Sequence, residues 1–285
     1  MDEKKGLGFY LLAAFFTLFV IFLYGPTITI AILSFQGPHG GLTFPMNGVS
    51  MHWFHNLFEQ QAVGDIWGSF RRSFALGLMV MIITVVVAVM AGLAFRRQFF
   101  GSTVIFYLVV GSLIIPSILI SLGVGILFNQ LDWDVHWSTS GLGSQLTWTL
   151  PFGLLIMFAV FNRFNPSYEE AARDLGASNL QTVWHIVLPL IAPSLIGVAL
   201  FGFTLSYDEF ARTLLTAGSY NTLPLEIYGM TTSVTTPVLY ALGTLTTIFS
   251  FIVIGLFIAI LWILKRREKQ SRHNAGADTS GLSSV

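Results

Sequence analysis

Acidic residues gather in one stretch of an otherwise apolar sequence, between residues 162 and 189. Glu169, Glu170 and Asp174 stand there beside a single cation, Arg173. Side chains of this kind cap helices and form ion pairs; they do not by themselves break covalent bonds. The chemistry that this segment offers is therefore recognition, through charge and through helix ends.

The same segment predicts two short helices joined by a hinge. Ser167 with Glu170, and Ser178 with Gln181, fit the capping box, in which side chains satisfy the first backbone N–H groups of a helix. Gly176 lies between them, where a positive φ can end the first helix. Apolar residues recur at helical spacing in both halves: Tyr168, Ala171, Ala172 and Leu175, then Leu180, Val183, Trp184 and Val187.

Each of these helices would present one apolar face, and Pro189 is expected to end the second. Helices of about two turns are marginal alone in water, so both need a surface to pack on. Other helices of the chain, the membrane interface and a partner protein are the possible surfaces. A helix on a lipid surface usually has a face rich in Lys and Arg, which the lone Arg173 does not provide. A soluble partner is therefore favoured.

The sequence lacks the residues for several other kinds of chemistry. Its cysteine count is zero, which excludes disulfides, thiolate metal sites and cysteine nucleophiles. None of its six histidines has the HExxH spacing of a helical zinc site. No lysine follows a glycine, so a Walker A loop for nucleotide phosphates is missing. We predict no catalytic residue and no metal site, and the zero net charge gives no electrostatic reason to expect nucleic acid.

Composition places the chain in a membrane. Apolar residues make up 54% of its 285 positions and charged residues 10%, against roughly a quarter charged in soluble domains. Lipid accepts such an apolar exterior, and a helix needs about 20 apolar residues to cross it. We expect an all-α membrane protein with six spans, at residues 9–35, 73–95, 104–128, 146–161, 190–207 and 239–264. The first is interpreted as a retained anchor helix, because it is too long for a signal peptide.

Cationic residues predict the orientation. With six spans and a cytoplasmic N-terminus, eleven of the fourteen Lys and Arg residues fall on the cytoplasmic side, and only Arg71, Arg72 and Arg212 fall outside. Both termini and the segment 162–189 are then cytoplasmic. We expect three regions: an anchor helix with an outer segment at 1–69, a transmembrane domain at 70–264, and a disordered tail at 265–285, which is rich in small and polar residues.

A second polar group stands at the outer end of the fifth predicted span. A carboxylate near a transmembrane path can attract an ammonium group, and the outer segments are mildly acidic. The alternative is that these acids are solvated or that one of them pairs with Arg212. The candidate residues for a substrate path are Ser206, Tyr207, Asp208, Glu209 and Tyr240.

Seven residues of the segment 162–189 resemble the EAA signature of bacterial ABC importer permeases, the binding-protein-dependent transport family. They are Glu170, Ala171 and Ala172, then Gly176, then Ile186, Leu188 and Pro189, at the spacing of that signature without a gap. The resemblance implies the type I importer permease fold and a location in the bacterial inner membrane. It implies that these seven residues couple the permease to an ATPase, with Glu170 facing basic groups and Gly176 acting as the hinge.

The resemblance also implies partners. Two ATP-binding subunits would hold ATP and Mg²⁺, so this chain would be neither an enzyme nor a cofactor carrier. A second, similar permease would complete the pore, as a heterodimer, and a periplasmic binding protein would deliver the solute. Membrane lipid surrounds the spans.

Residues 205–228 are similar to the spermidine/putrescine-type permease group, through Leu205–Phe210 and Thr222–Leu225. That similarity implies a small cationic solute such as a polyamine. Permeases for opines, aminoethylphosphonate and other small organic solutes share parts of the pattern. An ion-coupled secondary transporter is a further alternative, although buried charges and internal repeats are not evident. An intramembrane enzyme is disfavoured, because no histidine or cysteine lies at mid-membrane.

Overall fold

The computed structural model describes residues 6–59, 64–97, 99–233 and 236–282, and these residues are mainly helical. The one β pairing among them is an isolated bridge between Gln36 and Val49. The helices are α1 Leu7–Leu33, α2 His52–Phe58, α3 Ile66–Phe95, α4 Ser102–Gly111, α5 Ser117–Gln130, α6 Leu142–Asn162, α7 Ser167–Asp174, α8 Asn179–Thr182, α9 Leu188–Tyr207, α10 Leu223–Ser233 and α11 Val238–Leu282.

The chain forms two compact units. One consists of Met1–Ile66 and Ile227–Phe251, and the other of Trp67–Glu226 and Ile252–Val285. In the first unit, the buried Gln36 side chain organises the loop that follows α1: its Oε1 accepts from the backbone N–H of Asn47 at 2.7 Å, and its Nε2 donates to the Gly41 carbonyl at 3.2 Å. No local sequence signal indicates that residues 227–251 join this unit.

The core of the second unit lies between α3, α6 and α9. Its buried residues are Ala88, Val89, Met157, Phe161, Val187, Ile191 and Val198. The small residues Ala88 and Gly92 are four apart on α3, a spacing that allows close helix approach. Phe161 and Met157 of α6 occupy the space beside Gly92, where a Cβ would lie 2.7 Å from the Phe161 ring. The pair therefore lies at a tight helix–helix contact.

Five helical runs of the described residues are long and apolar enough to cross a membrane, and a bent pair raises the count to six. The predicted third span, 104–128, is not one helix. The run Ser102–Ile114 and α5 meet at an angle of 107°. Pro116 sits at the break, where it has no N–H to donate to a continuing helix.

The predicted boundary at Pro189 is wrong. The helical run continues from Asn179 to Tyr207, 29 residues in all, so the second helix of the segment 162–189 is continuous with a span. A π-helical turn at Val183–Val187 precedes α9, and Pro189 lies in the first turn of α9. The proline is tolerated because the π-helical turn before it already interrupts the ladder of i→i−4 hydrogen bonds, so its missing N–H does not end the run.

The predicted disordered tail also differs from the structure. Helix α11 runs without interruption from Val238 to Leu282, past the predicted boundary at residue 265, and residues 283–285 lie outside the described residues. The first part of this extension is rich in Lys, Arg, Glu and Gln, which are good helix formers, and no proline interrupts it. Small polar residues alone did not show where the helix ends.

We predict that Gly92→Val destabilises the protein by about 1–3 kcal/mol, because overpacking forces neighbouring side chains out of place. The added Cβ would lie 3.1 Å from the Met157 Cβ and closer still to the Phe161 ring. Thermal unfolding in detergent measures the effect. Gly197→Val, on α9 with no atom within 4 Å of its Cβ position, is the matched control. Equal melting temperatures for the two variants would contradict the packing described.

Candidate functional site

Helix α7 begins differently from the prediction. The Asn165 side chain accepts from the backbone N–H of Ser167 at 3.0 Å, and the N–H groups of Glu169 and Glu170 donate to the Pro166 carbonyl. Ser167 is therefore inside the helix, and the predicted capping box of Ser167 with Glu170 is wrong. Asn165, two residues before Ser167, instead holds the turn that leads into α7, because an Asn-Pro sequence favours the start of a turn.

The second capping box is confirmed. The Ser178 hydroxyl accepts from the backbone N–H of Gln181 at 3.3 Å, and the Gln181 side chain accepts from the N–H of Ser178 at 2.8 Å. These two bonds fix the start of α8, and with it the start of the long run into the membrane.

The hinge at Gly176 has the predicted left-handed backbone, with φ of 83°. Its N–H donates to the Arg173 carbonyl at 2.8 Å, and the N–H of Ala177 donates to the Ala172 carbonyl at 3.0 Å. This pattern is a Schellman motif, which ends a helix and turns the chain. The positive φ makes Gly176 the residue on which the angle between α7 and α8 depends.

Large apolar side chains of this segment are exposed. The exposed fractions are 54% for Tyr168, 89% for Leu175, 68% for Leu180 and 62% for Trp184. The other predicted coupling residues are distributed around them: Glu170, Ala171, Gly176 and Pro189 are exposed, while Ala172, Ile186 and Leu188 are partly buried. The segment thus has an apolar surface that its own chain leaves uncovered.

Glu169, the neighbour of the predicted coupling glutamate, is tied to the membrane helices. Its carboxylate forms a short ion pair with Arg96, the residue that directly follows the end of α3 at Phe95. The Arg96 guanidinium also lies 5.1 Å from the ring centroids of both Phe161 and Phe164. Arg173 approaches the same carboxylate at 3.7 Å. Sequence reasoning did not identify this link, because nothing local joins residues 73 positions apart.

At the C-terminal end of α9, the predicted path residue Ser206 is buried against α6. Its hydroxyl donates to the Gln145 side chain in a short hydrogen bond, and the Gln145 Nε2 donates to the Ser206 carbonyl at 3.4 Å. Gln145 is fully buried, and Ser206 is almost fully buried. Gln145 was not identified from the sequence, although an amide next to a long apolar run is a signal that could have found it.

Glu209 pairs with Arg212, as one of the two sequence interpretations expected. The Glu209 carboxylate accepts from the backbone N–H of Arg212 at 2.8 Å and lies 3.7 Å from its guanidinium. Burial raises the pKa of the Glu209 carboxyl, and the charge and N–H of Arg212 oppose that rise. Glu209 is 8% exposed and Arg212 2%, so this is a buried ion pair.

The Arg212 guanidinium is held on all sides by neighbouring elements. Its Nη1 donates to the Ser117 hydroxyl at 2.6 Å, and its Nε donates to the Thr147 hydroxyl at 3.3 Å. It lies 4.6 Å from the Trp148 ring. Because Ser117 is the first residue of α5, Arg212 fixes the segment after α9 to the broken third span and to α6 together.

The remaining path candidates have different surroundings. Asp208 is exposed, and partial burial raises the pKa of its carboxyl. Tyr207 is buried, with its ring stacked on Phe203 at 5.8 Å. Tyr240 belongs to the first unit, where its hydroxyl donates to the Leu42 carbonyl at 2.7 Å. The second unit therefore brings together four of the five candidates, Ser206 to Glu209.

Comparison with known proteins assigns the chain to a family. Residues 84–267 match the family described as the inner membrane component of binding-protein-dependent transport systems. This match covers more than half of the chain, so the protein belongs to that family and is a membrane transport component.

Relatives extend the similarity to most of the chain. It is 29% identical to the spermidine/putrescine transport system permease protein PotC of Haemophilus influenzae, over 87% of this chain and 95% of the relative. It is 26% identical to PotC of Escherichia coli K12, over 87% and 92% of the two chains. It is 28% identical to the putrescine transport system permease protein PotI of Escherichia coli K12, over 88% and 89%.

Solved structures show the fold. A chain of a bacterial ABC transporter involved in the import of the acidic polysaccharide alginate matches with a TM-score of 0.69 at 15% identity, covering 90% of this chain and 94% of that one. A chain of the MetNI methionine ABC transporter matches with a TM-score of 0.54, at 16% identity, over 70% and 94%. The predicted fold class, a helical ABC importer permease, is confirmed.

We predict that Arg212→Gln destabilises the protein by about 3–5 kcal/mol at neutral pH, because it leaves the Glu209 carboxylate buried without its counter-charge. The pKa of Glu209 then rises further, since the opposing charge is gone. The folded variant holds this proton more tightly than the unfolded chain, so the stability that this proton contributes is fully present below the unfolded-state pKa and is lost as the pH rises through the folded-state pKa.

Thermal unfolding of this variant at acidic and neutral pH measures both effects. The double variant Arg212→Gln with Glu209→Gln is the control, since it buries no unpaired charge, and we expect it to recover part of the loss. A single variant that is as stable as the wild type at neutral pH would contradict the role of this pair.

Proposed function

We propose that this chain is the translocation subunit of an ATP-driven importer, and that its segment 162–189 docks on an ATP-binding subunit. The observation that carries the proposal is the exposed apolar surface formed by Tyr168, Leu175, Leu180 and Trp184. Exposure of apolar side chains to water is unfavourable, and burying those grouped on these two short helices against a complementary partner lowers the free energy. Family membership supports a soluble subunit as that partner.

The path of the chain supports a mechanical role for this segment. Helix α8 is continuous with the membrane-crossing run that ends at Tyr207, so a displacement of α8 carries that run with it. Helix α7 is joined to α8 through the left-handed Gly176 and its Schellman hydrogen bonds. Two helices at a fixed angle can seat in a groove and transmit its movement to the spans.

The partners follow from this role. Two ATP-binding subunits would bind ATP and Mg²⁺, a second and similar permease would complete the pore as a heterodimer, and a periplasmic protein would deliver the solute. The proposed assembly is supported by the fold that this chain shares with chains of the alginate transporter structures. One of those structures is a complex with an alginate pentasaccharide-bound periplasmic protein. In this arrangement, the segment 162–189 and both termini face the cytoplasm, in agreement with the cation distribution.

We predict that Gly176→Val leaves membrane insertion intact and lowers solute uptake per ATP hydrolysed by roughly tenfold, since a β-branched residue strongly disfavours positive φ. No atom lies within 4 Å of the Cβ position, so the effect comes from backbone conformation and not from a clash. Uptake and ATP hydrolysis by the complex in proteoliposomes provide the measurement.

Gly176→Asn is the matched control, because asparagine tolerates the left-handed conformation. We expect it to retain most of the coupling. If valine and asparagine variants transported equally well, the hinge would have no part in coupling.

For the solute, we propose a polyamine. The PotC and PotI relatives are named for spermidine and putrescine transport, and the cluster at the outer end of α9 offers an exposed carboxylate at Asp208. A carboxylate in partly desolvated surroundings attracts an ammonium group more strongly than one in bulk water. The buried Glu209 is already paired with Arg212 and is less available.

We expect spermidine or putrescine, with the cognate binding protein, to stimulate ATP hydrolysis by the reconstituted complex. Opines and aminoethylphosphonate are the comparison solutes, and stimulation by one of them alone would reject the polyamine assignment while keeping the importer. Uptake that is abolished by an uncoupler and unaffected by ATP depletion would instead indicate an ion-coupled transporter.

A further inference from the structure

The docking segment is attached to the membrane helices in two different ways. Its second half continues directly as the run Asn179–Tyr207. Its first half, α7, is held by the ion pair between Glu169 and Arg96. Arg96 follows the end of α3, so α7 is connected to a helix from which it is separated by more than seventy residues of sequence.

The Arg96 guanidinium lies close to Glu169 of α7 and to two aromatic rings. It lies 5.1 Å from the centroids of the Phe161 and Phe164 rings, one at the end of α6 and one just beyond it. Cations at this distance from an aromatic ring are attracted to its face. Phe161 also fills the space beside Gly92 on α3. The ring centroid of Phe164 lies 6.3 Å from that of Tyr168 on α7. One side chain therefore joins α7 to the ends of α3 and α6.

The two adjacent glutamates differ in position. The Glu169 side chain is 14% exposed and points to Arg96, whereas Glu170 is exposed. In a helix, neighbouring residues project about 100° apart, so one can face the spans while the next faces outward. A partner subunit can therefore reach Glu170 without disturbing the ion pair of Glu169.

We propose that Arg96 is a positioning residue for coupling: with Glu169 as its anchor, it makes α7 move as one body with the inner ends of α3 and α6. The inference rests on the proposed docking of the segment 162–189 on an ATP-binding subunit. It assigns separate tasks to the two glutamates, since Glu169 attaches the docking helix to the spans and Glu170 is left for the partner.

The ion pair is largely shielded from water, since the exposed fractions of the two side chains are 22% and 14%. Removing one partner therefore costs more stability than it would in a surface pair, and membrane insertion and assembly are measured for each variant before coupling is compared. A loss of coupling in a variant that inserts and assembles reflects the position of α7 and not general damage.

The test uses the complete complex in proteoliposomes, with ATP hydrolysis and solute uptake measured together. We expect Arg96→Gln and Glu169→Gln each to raise the ATP hydrolysed per solute transported by about tenfold, while the ATP-binding subunits still copurify. Arg96→Lys keeps the charge and loses only the planar contact with the rings, so its coupling should stay within about threefold of wild type. Arg97→Gln removes an exposed neighbouring charge and should leave the ratio unchanged.

A covalent substitute for the ion pair separates positioning from a structural role. The chain has no cysteine, so Arg96→Cys with Glu169→Cys gives a unique reactive pair. This double variant should be uncoupled, and a short bifunctional thiol reagent should restore coupling, whereas a monofunctional reagent should not. The experiment uses variants of the partner subunits from which accessible cysteines have been removed.

Several results would overturn the inference. They are a ratio within twofold of wild type in both glutamine variants, loss of the ATP-binding subunits on Arg96→Gln, and no recovery on cross-linking. If Arg96→Gln does not fold, Glu169→Gln tests the same link from the other side. A wild-type complex that never binds ATP-binding subunits would instead refute the proposed function, and the inference with it.

Discussion

One continuous helical run, Asn179–Tyr207, connects the segment 162–189 with the polar cluster around Ser206. Its N-terminal end is fixed by the capping box of Ser178 with Gln181, and its C-terminal end by the hydrogen bonds of Ser206 with Gln145. A helix transmits axial and tilting displacements because its backbone hydrogen bonds make it stiff. Any movement of the segment 162–189 is therefore mechanically linked, through this helical run, to the polar cluster around Ser206.

The run acts on its neighbours through close packing. Gly153 and Gly92 bring α6 and α3 together at distances that leave no room for a Cβ, and Val198 of α9 is fully buried beside them. Without a hydrophobic driving force between helices in lipid, such contacts depend on shape and on interhelical hydrogen bonds, such as that of Thr84 with Thr149 at 3.1 Å. A tightly packed core of this kind shifts between arrangements as a body and deforms little within one.

The two ends of the spans differ in which side chains are exposed to solvent. At the C-terminal end of α9, Arg212 and Glu209 are buried, and their charges are compensated by Ser117, Thr147 and each other. At the end formed by the segment 162–189, large apolar side chains and Glu170 are exposed. The first arrangement fixes a loop against the spans, and the second leaves a surface for association.

Local rules were sufficient for much of this protein, because they depend on neighbours in sequence: the apolar runs, the second capping box, the left-handed Gly176 and the amphipathic spacing of α7 and α8 were all predicted. The break at Pro116, the continuity past Pro189 and the length of α11 were not, since a proline or a polar stretch permits either outcome until neighbouring helices are in place. The pairs Arg96 with Glu169 and Gln145 with Ser206 join residues more than sixty positions apart. Such contacts are decided only by how α3, α6 and α9 pack, which brings distant side chains within the few ångströms over which ion pairs and hydrogen bonds act.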